Sequence, residues 1–140
     1  MIYALYFSSD QQITIKTHHE DKTAPLSTTK EVLSLMCLNQ GATYEGSRSA
    51  VCEILKVKQK VPILLAPNEL LFPTHSPDQL ECAWINYFAI LNYDKFDEGS
   101  IVTFIDGTNI IFPCNLRTIK MQVNRCRLYA KYLNYHESSS

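Results

Sequence analysis

Residues 117–133, RTIKMQVNRCRLYAKYL, carry five basic side chains and no acidic one. Wound into a helix at about 100° per residue, Arg117, Lys120, Asn124, Arg127 and Lys131 fall on one stripe with 3-4-3-4 spacing. The chemistry open to such a stripe is attraction to a polyanion, because each cation that meets a phosphate releases condensed counterions. A helix face that is only solvated tends to mix signs, since Glu–Lys pairs at i,i+4 stabilise it and like charges oppose it. A net charge of −1 with +5 between residues 115 and 135 leaves −6 on the rest of the chain. Charge separated in this way creates a local field although the total is near zero.

Beside the basic stripe, Leu116, Ile119, Val123, Cys126, Ala130 and Leu133 form an apolar one, suited to a core. A third face carries Gln122 and Arg125 next to Thr118 and Tyr129, and Met121, Leu128 and Tyr132 add apolar surface between the polar faces. That surplus predicts a homodimer or higher multimer built on this helix or on a nearby sheet edge. A second basic run, Lys56-Val57-Lys58-Gln59-Lys60, would place all three lysines on one face if it were a strand.

Catalytic chemistry finds less support. His75 and Cys82, in FPTHSPDQLECAWIN, are a nominal base and thiol, but no glycine-rich elbow or oxyanion pair accompanies them. A buried thiol beside Trp84 is the better reading. Asp94, Asp97 and Glu98 read as a solvated turn, and no phosphate-loop or dinucleotide motif occurs. Five scattered cysteines with no C-x-x-C pair, and four histidines without ligand spacing beyond the adjacent pair His18-His19, predict reduced thiols and no metal site. The expectation is a chain that is not an enzyme, has no catalytic residue and takes no cofactor. The first residues lack a basic n-region, and no apolar run approaches the roughly 20 residues of a membrane span, so a cytoplasmic location with no membrane partner is expected.

These residues need a scaffold. At 140 residues the chain is expected to form a single domain over 1–136, with a frayed end at 137–140. Ile2 to Phe7 and Ile13 to Lys16 read as strands, and Thr17 to Pro25 as a loop. Ser27 or Thr28 can cap a helix through Cys37 with Glu31 near the capping-box position, and Gly41 ends it. A second helix is predicted from about Glu45 to Leu55, weakened by Gly46. Pro62 to Leu65 and Leu70 to Phe72 read as short strands, Ala83 to Tyr93 as one long strand. Asp106-Gly107 predicts a two-residue turn between Ile101–Ile105 and Thr108–Phe112. A final helix runs from Asn115 to about Tyr135. The fold class that fits is α+β: a mainly antiparallel sheet with two short helices and a long basic C-terminal helix.

Five segments add a resemblance. FPTHSPDQLECAWIN, YEGSR (Tyr44 to Arg48), KVPILLAP (Lys60 to Pro67), VTFIDGTNIIFP (Val102 to Pro113) and QVNR (Gln122 to Arg125) resemble, in order and spacing, the ComK family. These are competence transcription factors of Bacillus and related Gram-positive bacteria, and the likeness covers Leu35 to Leu133. The resemblance implies an activator of DNA-uptake genes that binds A/T-rich double-stranded DNA, through the minor groove, as a multimer. A regulatory adaptor protein is a further partner to expect. A/T-rich minor grooves are narrow and strongly negative, which suits Arg and Lys. The expected DNA-binding residues are Arg117, Lys120, Asn124, Arg125, Arg127 and Lys131 on the last helix, with Lys56, Lys58, Lys60 and Arg48. Of the matched pair, Gln122 is expected to clamp the helix to the sheet and Arg125 to meet DNA. The alternative is a family member that pairs with a full-length relative or a regulator without activating promoters.

Overall fold

The computed structural model describes residues 1–8, 12–24 and 28–139, with side chains through Asn134. Nine strands and three α-helices follow in the described residues: β1 (Ala4–Phe7), β2 (Ile13–Thr17), β3 (Glu20–Ala24), α1 (Thr29–Asn39), α2 (Tyr44–Leu55), β4 (Ile63–Ala66), β5 (Glu69–Pro73), β6 (Trp84–Asn86), β7 (Ile90–Phe96), β8 (Gly99–Phe104), β9 (Asn109–Phe112) and α3 (Leu116–Ser139). Every strand pairing is antiparallel, in a six-stranded sheet of order β3-β2-β1-β6-β5-β4 and a three-stranded sheet β7-β8-β9. The α+β class holds.

Alternation along the strands divides the apolar side chains between two cores. Leu5, Ile13, Ile63, Leu71 and Trp84 face α1, where Val32, Leu33 and Cys37 meet them. Ala4, Leu70, Phe72 and Ile85 point the other way, against Val102, Phe104 and Phe112 of the small sheet and Ile119, Cys126 and Tyr129 of α3. The large sheet is therefore buried on both faces along its centre. Its β3 edge is exposed and charged, which discourages pairing with another chain.

The helix starts follow capping chemistry. Thr28 accepts from the Glu31 amide and Thr43 from the Gly46 amide. Ser27, the other candidate cap, lies outside the described residues. A Cβ on Gly46 would stand 2.9 Å from Thr43 Oγ1, so the glycine that weakens helix propensity here leaves room for the cap.

Four expectations need correction. Residues 20–24 form an edge strand, not a loop: their polar composition hides the pattern, and a turn with His19 at φ 55° sets up the pairing with β2. Ala83 to Tyr93 is broken. Buried Asn86 accepts from the Leu70 and Phe88 amides and donates to the Ile2 and Asn68 carbonyls, a set that ends β6 and starts a 3-10 turn at Tyr87–Ala89. The chain passes there from one sheet to the other. The hairpin turn is longer than two residues, because Asp106 accepts from the Thr108 amide and hydroxyl while Gly107 takes φ 87°. Lys56 to Lys60 is not a strand. Lys56 closes α2 in the left-handed region, φ 56°, and Lys60 repeats that conformation at φ 50°. The expected frayed end at 137–140 falls where side chains are not described.

Asp106 also ties the sheets together. Its carboxylate, 0% exposed, lies 3.6 Å from the Lys16 ammonium of β2 and accepts the His19 amide at 2.8 Å. Burial alone would raise its pKa, but the Thr108 hydroxyl, the two amides and Lys16 outweigh that and hold it well below the ordinary carboxylate range. Stability from this group is then fully present above the unfolded-state pKa of about 3.9 and lost as pH falls below it. Acid unfolding followed by circular dichroism should show Asp106→Asn less stable at neutral pH, with the gap to the parent chain narrowing below about pH 4.

Candidate nucleic-acid interface

The orientation of α3 follows from its sequence. Asn115 Oδ1 accepts the Thr118 amide at 2.9 Å and caps the start. Ile119 and Cys126 are fully buried and Val123 and Leu133 pack against them, so the apolar stripe faces the core as expected. Tyr129, placed by sequence on a polar face, is also buried. Arg117, Lys120, Asn124, Arg127 and Lys131 are all exposed on the neighbouring face. Among the described residues no carboxylate forms a salt bridge with them. Arg127 instead donates to Asn124 Oδ1, which joins two members of the stripe. Arg117 shares a depression with Asp97 and Glu98, so the unopposed part of the stripe is Lys120, Arg127 and Lys131.

Gln122 points inward and is 0% exposed. Its Nε2 donates to the carbonyls of Lys60 and Pro73, both at 2.8 Å. Only the amide nitrogen can serve two carbonyls, which fixes the orientation of the carboxamide. Oε1 is buried without a hydrogen-bond partner among the described residues. Arg125, one turn on, donates from Nη1 to the carbonyls of Gln59 at 2.9 Å and Lys60 at 3.4 Å. Arg48 of α2 reaches the same segment, donating from Nη2 to the Lys58 carbonyl at 2.6 Å.

The ten residues expected at the interface therefore divide. Five stand outward on α3. Arg48 and Arg125 have guanidinium nitrogens on backbone carbonyls of the segment that carries Lys58 and Lys60. These two lysines and Arg48 line a notch of about 480 Å³ with Lys30, opposed by Glu45 and Asp78. Lys56 lies apart, its ammonium 3.3 Å from Glu53. Lys30, 3.2 Å from Asp78, was not legible in the sequence, because it belongs to no stripe and reaches the notch only through the packing of α1.

The nominal thiol site does not assemble. Cys82 is buried, its Sγ donates to the His75 carbonyl at 3.4 Å, and burial pushes the thiol up to about 11. A thiol so placed stays protonated at neutral pH. The His75 ring meets the Thr74 hydroxyl instead.

Truncating Gln122 removes both of its bonds and leaves the Lys60 carbonyl only the longer one from Arg125. Gln122→Ala should lower unfolding free energy by about 1–3 kcal/mol in urea titration, and Gln122→Glu by more, since a carboxylate cannot donate to a carbonyl. Lys120→Gln, on the exposed face, should change it by less than about 0.5 kcal/mol.

The comparisons with known proteins agree with this chain's motifs. The family described as ComK protein matches residues 1–137. A competence transcription factor of Bacillus subtilis (strain 168) is 28% identical over 99 residues, which cover 68% of this chain and 51% of that protein. The chain thus spans about half the length of that relative. No solved structure matches the chain at a significant level. With nearly its whole length matched, the chain belongs to the ComK family.

Proposed function

We propose that this chain binds double-stranded DNA and regulates transcription of competence genes. The observation that carries the reading is the outward face of α3, where Lys120, Arg127 and Lys131 stand exposed and without a carboxylate partner among the described residues. Their role is long-range attraction to phosphates, which sets affinity and its salt dependence. The preferred DNA in this reading is A/T-rich, as the family resemblance implies; its narrow minor groove concentrates negative potential and admits cations without a helix reading base edges. The name of the similar Bacillus protein supports the transcriptional part of this reading.

A modest net charge implies modest affinity for one protomer, so binding gains from multimers on neighbouring sites. Met121 and Leu128, 38% and 49% exposed beside the basic stripe, favour a contact between copies through α3. The same two side chains support a second reading, in which the chain pairs with a longer relative or an adaptor protein without activating promoters. Sedimentation at tens of micromolar, with and without DNA, separates assembly from its absence.

Gel-shift titration on an A/T-rich duplex tests the main reading. With about four to six phosphates met per protomer, log K should fall with log[salt] at a slope of about −3.6 to −5.4. Lys120→Gln with Arg127→Gln should weaken binding to all duplexes alike and flatten that slope by about two. No binding to any A/T-rich duplex at low salt would refute the proposal.

A further inference from the structure

We propose that Arg48, Gln122 and Arg125 are positioning residues, which act on DNA through Lys58 and Lys60 and do not touch it themselves. This inference rests on the DNA-binding reading above. By composition all three cations between α2 and β4 and both arginines look alike. The hydrogen bonds separate them.

Residues 58–60 have no strand partner, yet their carbonyls are all taken by side chains from two helices. Arg48 holds the Lys58 carbonyl, Arg125 those of Gln59 and Lys60, and Gln122 that of Lys60 together with Pro73 at the end of β5. With the carbonyls held from the side of the two helices, at the surface for 58 and 59 and part-buried for 60, Lys58 remains exposed and Lys60 half-buried at the rim of the notch. Lys60 takes φ 50° and Lys56 φ 56°, a region that non-glycine residues occupy when their surroundings hold them there. The next residue, Val61, is buried and anchors the far end. An arginine whose Nη is committed to a backbone carbonyl within hydrogen-bond distance offers less to a phosphate than a lysine with no such bond. The same bonds join α3 to the lysine segment, so the outward stripe and the two lysines keep a fixed relation.

A thermodynamic cycle on an A/T-rich duplex tests this, with the α3 stripe left intact so that binding stays measurable at low salt. Lys58→Gln with Lys60→Asn removes both charges, and asparagine tolerates the left-handed conformation at 60. These changes should flatten the salt slope by about two. Arg125→Ala in the parent chain should weaken binding about three- to tenfold, and in the lysine-free background by less than about twofold. Arg48→Ala should behave the same way, which covers the case in which the Arg125 variant folds poorly. Backbone 15N order parameters of residues 57–61 should fall from about 0.85 towards about 0.6 in either arginine variant. An arginine effect of equal size in both backgrounds, or order parameters unchanged in both variants, would overturn the proposal. Absence of DNA binding by the parent chain would end the DNA reading and this inference together, whereas binding without dependence on the lysines ends this inference alone.

Discussion

The carboxamide of Gln122 is the contact on which the arrangement of the charged surface depends. A helix packed by apolar side chains alone can roll, because dispersion and burial are not directional. Two hydrogen bonds of 2.8 Å from one buried Nε2, to carbonyls on separate segments, remove that freedom. With Gln122 inward, the stripe of Lys120, Asn124 and Lys131, which lies roughly opposite on the helical wheel, must face solvent. The like charges that would oppose helix formation in isolation are tolerated because core packing of the other face stabilises α3.

Beyond that contact, polar groups join elements that apolar packing leaves independent. Asn86 links β6, β5 and the first residues of the chain through four bonds and turns the backbone from the large sheet to the small one. Lys16 and Asp106 join the same two sheets from the other side. Buried polar groups of this kind are expensive to leave unpaired, so they specify one arrangement more sharply than the apolar cores do. Directional bonds from Gln122 and Asn86, and that of the His19 amide to Asp106, thus hold the elements around the two sheets in one arrangement.

How much of this was legible follows from range. The periodicity of α3, a cap at Ser27 or Thr28 and the strands expected at Pro62 to Leu65 and Leu70 to Phe72 depend on neighbours close in sequence, and the structure places them within a residue or two, whereas the Thr43 cap was not foreseen. The stripe of Arg117, Lys120, Asn124, Arg127 and Lys131 was legible for the same reason. What stayed hidden depends on partners far along the chain. Lys56 to Lys60 looks like a strand by alternation, but its geometry is set by Arg48, Gln122 and Arg125, up to 66 residues away. Asn86 reads as part of a β-run until its contact with Ile2, 84 residues distant, is known. Lys30 joins the basic notch only through folding.

The most direct test of the central claim is a titration of 15N-labelled protein with an A/T-rich duplex at low salt, followed by amide chemical shifts. The account predicts that shifts concentrate on the outward face of α3, around Lys120, Arg127 and Lys131, and on residues 58–60, and that they fade as salt is raised. Shifts confined to the outer face of β7, β8 and β9, with the α3 amides unmoved, would contradict it.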